Sequence, residues 1–299
     1  MPEATTHTSP RAPLAPVSSG HAEVNGITLY YEIYGQGEPL VLLPGGLMTI
    51  GEMSTLLEAF AKTHTVIAVE LQGHGRTADT DRPLSFETMG DDIAALLNGF
   101  NISKADIVGL SLGAAVGLRA AIQHPEKVRR LVVISTAYAK SGWYHVAQEG
   151  MGMISGAMAE TMMQTPTGTF AKNWPEPQRF PKFLDKMGKM MGAFYDWSAD
   201  VRNLPMPVLL VFADNDSVSQ KHIAEFFALL GGGVREPGWQ NTQLSKARLA
   251  IVPGYSHYNF VNATELAPII DKYLADPLTD PSAGAAAASQ AAPKQTKAN

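Results

Sequence analysis

A serine flanked by two glycines is the residue of this chain best placed to do chemistry. The run from Ala105 to Ala115 reads Ala-Asp-Ile-Val-Gly-Leu-Ser-Leu-Gly-Ala-Ala, so a β-rich stretch ends in Gly-x-Ser-x-Gly and a helical pattern follows at once. Turning a strand into a helix within two residues strains the central residue, and glycines at 109 and 113 avoid collision there. The pattern predicts that Ser111 is a nucleophile raised above a sheet, with the Leu112 N–H at a helix N-terminus.

Two further residue types of a hydrolytic triad each follow a predicted strand. Pro207 to Ala213 predicts a strand that ends in Asp214-Asn215-Asp216, and Ala247 to Val252 predicts a last strand before Pro253-Gly254-Tyr255-Ser256-His257. In a parallel sheet with right-handed crossovers, all strands end at one edge, and ligands bind there. A serine, an aspartate and a histidine, in this order at one edge, are typical of a nucleophile, an acid and a base.

The elements that must position these residues alternate between strands and helices. An Asn-Gly pair at 25–26 predicts an opening antiparallel hairpin, and short continuous apolar runs predict strands buried on both faces. The pattern indicates an α/β fold with a mostly parallel central sheet and helices on both faces. The buried strands are predicted at 39–43, 65–71, 105–110 and 128–135, and the helices at 53–61, from the N-cap Ser85 to 100, after Ser111 to 124, at 219–230 and at 263–274.

The alternation breaks between Tyr138 and Leu204, where the pattern is helical and rich in methionine. Because alternation resumes afterwards, this segment is predicted to be a helical cap inserted over the carboxyl ends of the strands. Methionine is unbranched and adaptable, so Met158 and Met162, together with Leu47, are predicted to contact the substrate. A methionine-rich stretch is equally typical of core packing, and a cap can combine both roles.

Composition narrows the class of protein. The chain has 299 residues, of which 45% are hydrophobic and 17% charged, as in an ordinary globular enzyme with one domain. The net charge of −5 offers no basic face for nucleic acid, and no apolar run is long enough for a membrane span. The absence of cysteine excludes thiolate nucleophiles, disulfides and sulfur-ligated metals.

The two ends of the chain are predicted to be disordered. Residues 1–20 and 276–299 are poor in large apolar side chains, which leaves too little burial to offset the entropy of ordering. The first stretch also lacks the apolar core of a signal peptide. We therefore expect a cytoplasmic protein, with export open if the native N-terminus was trimmed.

On these motifs the chain resembles the α/β-hydrolase family from the hairpin at Val24 to the final helix near Leu274. The resemblance implies that Ser111 is the nucleophile, His257 the base and Asp216 the triad acid. It divides the chain into a hydrolase core at 21–137 and 205–275 and a helical cap at 138–204.

The resemblance also implies an oxyanion hole formed by the backbone N–H groups of Gly46 and Leu112. It requires no metal and no organic cofactor. The loop departs from the family at Pro44-Gly45, where many relatives carry His-Gly.

The chemistry expected from the resemblance is hydrolysis of a small carboxylic ester through an acyl-serine intermediate. Relatives that open epoxides or remove halides carry aspartate at the position of Ser111, so the resemblance does not imply these activities for this chain. The same machinery in related proteins performs cofactor-free perhydrolysis, hydrolysis of lactones or amides, and cleavage of carbon–carbon bonds. A non-catalytic small-molecule binding protein of the same fold is the alternative from another class. The sequence leaves the natural substrate and the oligomeric state open.

Overall fold

The computed structural model describes residues 14–240 and 243–277, and a mixed sheet of eight strands runs through this part of the chain. Strand β2 is antiparallel to β1 and β4, and the other neighbouring strands are parallel. The predicted α/β fold with a mostly parallel sheet is confirmed. The strands are β1 Ser18–Val24, β2 Ile27–Tyr34, β3 Glu38–Leu43, β4 His64–Glu70, β5 Ala105–Leu110, β6 Val128–Ile134, β7 Val208–Asn215 and β8 Arg248–Ser256, in the spatial order β1-β2-β4-β3-β5-β6-β7-β8.

Helices cover both faces of the sheet. Helices α2, α3 and α9 contribute to the buried cluster on one face, and α1 and α10 contribute to the cluster on the other. None of the helices in the described residues is long and apolar enough to cross a membrane. The helices are α1 Ser54–Phe60, α2 Phe86–Gly99, α3 Leu112–Gln123, α4 His145–Met153, α5 Ala159–Met162, α6 Pro166–Thr169, α7 Phe180–Gly192, α8 Ser198–Val201, α9 Gln220–Leu229 and α10 Leu266–Leu274.

The central strands read as continuous apolar runs because both of their faces are buried. In β3, Leu40 and Leu42 pack into one cluster, whereas Val41 and Leu43 pack into the other. Successive side chains of a strand point to opposite faces, so a strand between two helical layers is largely apolar on both faces. Every residue of β5 is buried, and its one charged side chain, Asp106, forms ion pairs with Arg129 and Arg130. The buried strand fixes the position of the loop that carries Ser111.

The prediction of a disordered N-terminal segment over residues 1–20 is wrong for its last three residues. Residues Ser18 to Gly20 belong to β1 and pair with Tyr31 to Ile33 of β2. Strand pairing uses backbone groups, which any residue but proline supplies, so a count of large apolar side chains misses it. Residues 1–13 lie outside the described residues. So do residues 278–299, which are all but the first two residues of the predicted C-terminal tail.

The segment 138–204, called the insertion below, begins and ends at one paired neck. Ala139 forms an antiparallel bridge with Asp196, and the Trp197 N–H donates a hydrogen bond of 2.9 Å to the Tyr138 carbonyl. Helices α4 to α7 lie between these paired residues, and α8 follows them before the chain returns to the sheet. The insertion therefore leaves the sheet after β6 and returns before β7 through one narrow connection.

The insertion lies over the loop that follows β4. The Trp174 indole N–H donates a hydrogen bond of 2.8 Å to the Gly75 carbonyl, and Lys186 Nζ lies 2.6 Å from Asp79 Oδ1. Phe183 of α7 packs so closely on Gly73 that a Cβ at this glycine would lie 2.1 Å from the ring. These contacts hold the insertion over the carboxyl end of the sheet.

Candidate active site

Ser111 lies in the turn between β5 and α3. Its φ of +51° is in the left-handed region, and its N–H donates a hydrogen bond of 2.8 Å to the Ile134 carbonyl. A Cβ at Gly109 would lie 2.4 Å from the Gly113 carbonyl oxygen, and one at Gly113 would lie 2.3 Å from the Leu43 carbonyl oxygen. Because only glycine fits at these two positions, the Gly-x-Ser-x-Gly pattern produces the strained turn that raises Ser111 at the sheet edge.

A line of hydrogen bonds joins the three residues that follow β5, β7 and β8. Ser111 Oγ lies 3.0 Å from His257 Nε2, and His257 Nδ1 lies 3.0 Å from Asp216 Oδ1. Because a carboxylate only accepts, we assign the proton to Nδ1, which leaves Nε2 free to accept the Ser111 hydroxyl proton. This is the arrangement in which an imidazole can act as a general base toward a serine.

Asp216 is buried and fully supplied with donors. Its Oδ1 also accepts from the Val218 N–H at 3.2 Å, and its Oδ2 accepts from the Ala213 N–H at 3.3 Å and from the Ser135 hydroxyl. Burial alone would raise the pKa of Asp216, but the hydrogen bond and charge of His257, with the donors Ser135 and Val218, hold it below its ordinary value. The carboxylate is therefore ionised at neutral pH, as an acid that orients a histidine must be.

The neighbouring acid, Asp214, serves the loop instead. It is exposed, and its Oδ1 accepts from the Gly254 N–H at 2.9 Å and from the Asn215 amide at 2.9 Å. Asp214 therefore binds an N–H group of the loop after β8, and the structure pairs Asp216 with His257.

Ser135 is a residue of this site that sequence reasoning missed. It follows β6 directly, is fully buried and has a φ of +53°. Its N–H donates to the Val211 carbonyl at 3.0 Å, which holds the residue in place beside Asp216. The available signal was its position, because a polar residue immediately after a buried strand lies at the same edge as the other three.

Replacing Ser135 by alanine or glycine is expected to lower kcat by about ten- to a hundred-fold, because a hydrogen bond to a charged group contributes about 1.5–3 kcal/mol. Glycine accepts a positive φ without strain, so it separates loss of the hydroxyl from backbone strain. The measurement is kcat for ester hydrolysis alongside denaturant unfolding at several pH values.

The loss of stability caused by Ser135→Gly is expected to depend on pH. A lowered pKa in the folded state stabilises the protein above the unfolded value of about 3.9, and this contribution is lost as the pH falls through the folded pKa. The stability difference between wild type and Ser135→Gly should therefore be largest at neutral pH and shrink in acid. A glycine variant with wild-type kcat would show that the hydroxyl does not act on Asp216.

The two predicted oxyanion residues lie side by side next to Ser111. A Cβ at Gly46 would lie 3.6 Å from Leu112 Cβ, and both residues line the same cavity as Ser111. Within the part of the chain that the structure describes, neither backbone N–H donates a hydrogen bond to another residue. Leu112 is the first residue of α3, where unpaired N–H groups and the helix dipole favour negative charge.

A cavity of about 670 Å³ opens at Ser111 between the insertion and the sheet edge. This volume is ordinary for a small-molecule site. Leu47, predicted to contact substrate, lines it, and so do three methionines of the insertion. Its lining includes Gly46, Leu47, Glu52, Ser111, Leu112, Met151, Met187, Met191, Ser217 and His257.

The prediction that Met158 and Met162 contact substrate is wrong for this cavity. Helices α4 and α7 face it, through Met151, Met187 and Met191, and neither predicted methionine is in the lining. Met158 is 42% exposed, and Met162 packs against the core from the short helix α5. The methionine-rich stretch predicted the character of the wall, but not which helices would form it.

The fold belongs to a known family. The profile of the alpha/beta hydrolase family matches residues 40–269, so the chain belongs to the alpha/beta hydrolase family. In structure, it is similar to the enol-lactonase of Burkholderia xenovorans LB400, with a TM-score of 0.63 and 19% identity over 86% of this chain and all of the other. This likeness shows the fold.

Individual relatives match this chain over different shares of its length. Pimeloyl-(acyl-carrier protein) methyl ester esterase of Nitrosomonas europaea is 25% identical over 259 residues, which cover 80% of this chain and 96% of the relative. A putative carbamate hydrolase of Azorhizobium caulinodans is 34% identical over 107 residues, which cover 36% of this chain and 40% of the relative. The match thus spans less than half of the second relative.

Proposed function

We propose that this hydrolase cleaves carboxylic esters through an acyl-enzyme intermediate on Ser111. The observation that carries the proposal is the hydrogen-bonded line from Ser111 through His257 to Asp216, which opens on an apolar cavity. The relative from Nitrosomonas europaea, a methyl ester esterase by name, supports an ester as the substrate.

In the first half of the reaction, His257 Nε2 takes the proton of the Ser111 hydroxyl as its oxygen attacks the ester carbonyl. The negative charge that forms on the carbonyl oxygen is stabilised by the N–H groups of Gly46 and Leu112. His257 then gives the proton to the alcohol oxygen, the C–O bond breaks, and the acyl group remains on Ser111.

In the second half, water takes the place of the alcohol. His257 removes a proton from the water as its oxygen attacks the acyl carbon, and the same two N–H groups hold the second oxyanion. The proton returns to Ser111 Oγ, which leaves as the C–O bond to the acyl group breaks and releases the carboxylic acid. Asp216 keeps the Nδ1 proton in place and stabilises the imidazolium in both halves.

In this proposal the insertion acts as a cap that selects the substrate. Its methionines Met151, Met187 and Met191 form an adaptable apolar wall over Ser111. Such a wall accepts acyl groups of varied shape until the cavity is full, because each buried CH₂ contributes ~0.8 kcal/mol. We expect a preference for medium acyl chains of about four to eight carbons, with longer chains excluded by size.

Changing Met151 and Met191 together to alanine is expected to shift the preferred acyl chain to greater length, because the enlarged cavity admits further CH₂ groups. Each added group that fits should raise kcat/KM about four-fold, from ~0.8 kcal/mol per CH₂. The measurement is kcat/KM for p-nitrophenyl esters of increasing chain length.

The matched control is the double variant Met158→Ala and Met162→Ala, which removes the same side chains from the same segment but outside the cavity. It should keep the wild-type length profile. A shifted profile in the control, with none in the cavity variant, would place the acyl group elsewhere.

Turnover of a panel of p-nitrophenyl esters, lactones and anilides by the purified protein tests the proposed function. We expect esters to be hydrolysed fastest, with a burst of nitrophenol as the acyl-enzyme forms. Faster lactone or anilide hydrolysis would move the reaction to another bond with the same residues. Binding of these compounds without turnover would favour the non-catalytic alternative.

A further inference from the structure

Lys140 carries a buried positive charge beside the candidate active site. It lies in the neck of the insertion and is 8% exposed. Its Nζ lies 2.6 Å from the Met191 carbonyl oxygen and 3.8 Å from Met151 Sδ. Both methionines line the cavity at Ser111, so the ammonium group lies directly behind the wall of that cavity.

This charge has no counterion among the described residues. Lys186 illustrates the usual arrangement, because its Nζ contacts Asp79 Oδ1 at 2.6 Å. For Lys140, burial lowers the pKa, and no neighbouring carboxylate opposes this effect. A buried cation without an anion is costly to the folded protein, so its presence beside a ligand cavity calls for a function.

The wall between Lys140 and the cavity can yield to a ligand. Methionine is unbranched and has several rotatable bonds, so a turn of the Met151 side chain would expose the ammonium group without moving the backbone. The acidic side chain in the lining, Glu52, follows β3 in the core, whereas Lys140 follows β6. The insertion therefore places a positive charge behind the wall of a cavity whose lining, in the part of the chain that the structure describes, contains no lysine or arginine.

We propose that Lys140 determines specificity by binding a free carboxylate on the acyl part of the substrate, so that the substrates are half-esters of dicarboxylic acids. This proposal rests on the proposed ester hydrolysis. The competing structural role is capping of α7, because the Met191 carbonyl belongs to the last turn of that helix.

Two esters with the same number of acyl carbons test the proposal. We compare kcat/KM for mono-4-nitrophenyl glutarate, which carries a free carboxylate, with that for 4-nitrophenyl pentanoate, which does not. Lys140→Met should lower the ratio of the two values by about ten- to a hundred-fold, mainly through KM, because it removes a charged hydrogen-bond donor. Lys140→Arg, which keeps the charge, should retain most of the preference.

Lys189→Met is the matched control, because it removes the same charge from the exposed side of α7. It should leave the ratio unchanged. An equal loss for both esters in Lys140→Met, or a lower melting temperature with an unchanged ratio, would assign Lys140 to helix capping and overturn the proposal.

Ligand binding separates this proposal from the proposed reaction. If wild type hydrolyses neither ester, the proposed function fails, and the shift in melting temperature caused by monomethyl glutarate still tests Lys140. Stabilisation of wild type but not of Lys140→Met supports the carboxylate site. Equal stabilisation of both proteins, or of neither, overturns it.

Discussion

Replacing Ser111 by alanine is expected to reduce kcat for ester hydrolysis by ~10⁶-fold, the loss seen when the nucleophile of a serine hydrolase is removed. The reason is that alanine has no hydroxyl oxygen to attack the ester carbonyl and carry the acyl group. The two-step route through the acyl-enzyme is therefore lost. The change removes one oxygen and leaves the backbone turn intact. The melting temperature should therefore stay close to that of wild type, and kcat is measured with a p-nitrophenyl ester.

Covalent labelling identifies the nucleophile independently of the rate. A fluorophosphonate should label Ser111, and the label should disappear in Ser111→Ala. Ser217 lines the same cavity, so Ser217→Ala is the matched control and should keep both label and activity. A label on Ser217, or near-wild-type activity in the Ser111 variant, would reject the proposed mechanism.

The parts of the site that could be predicted from sequence are those that depend on local geometry. Glycine is required at 109 and 113 because a Cβ at either position would lie within about 2.4 Å of a carbonyl oxygen. Five consecutive residues therefore determine the turn. The strands before Ser111 and Asp216 are largely apolar because they are buried on both faces, whereas β8, the strand before His257, lies at the edge of the sheet and is more exposed. Fold and position along the sheet edge follow from these patterns.

The parts that could not be predicted depend on contacts between distant segments. Ser135 donates to Asp216 across 81 positions of the chain, and no local pattern marks that pair. Met151 and Met158 have the same side chain in the same methionine-rich segment, yet only Met151 faces the cavity, because the packing of short helices decides it. Lysine is rarely buried, so sequence alone places Lys140 on the surface.

Asp216→Asn is expected to reduce kcat by about 10⁴-fold, because an amide at this position no longer requires a proton on His257 Nδ1. Asparagine can donate to Nδ1, which puts the imidazole proton on Nε2 and prevents it from accepting the Ser111 proton. The loss of charge also removes the stabilisation of the imidazolium. The rate is measured as kcat for the best p-nitrophenyl ester, with melting temperature as the check on folding.

Asp214→Asn is the matched control for the acid, because the same substitution is made two residues away on an exposed side chain. Its amide oxygen can still accept from the Gly254 N–H, so kcat should change only a few-fold.

The two variants also differ in the pH dependence of their stability. The lowered pKa of Asp216 stabilises the folded state above about pH 4, and this stabilisation is lost in acid. Asp216→Asn should therefore lose most stability at neutral pH and little at low pH. Equal losses of kcat in the two folded variants would mean that Asp216 is not the acid that orients His257.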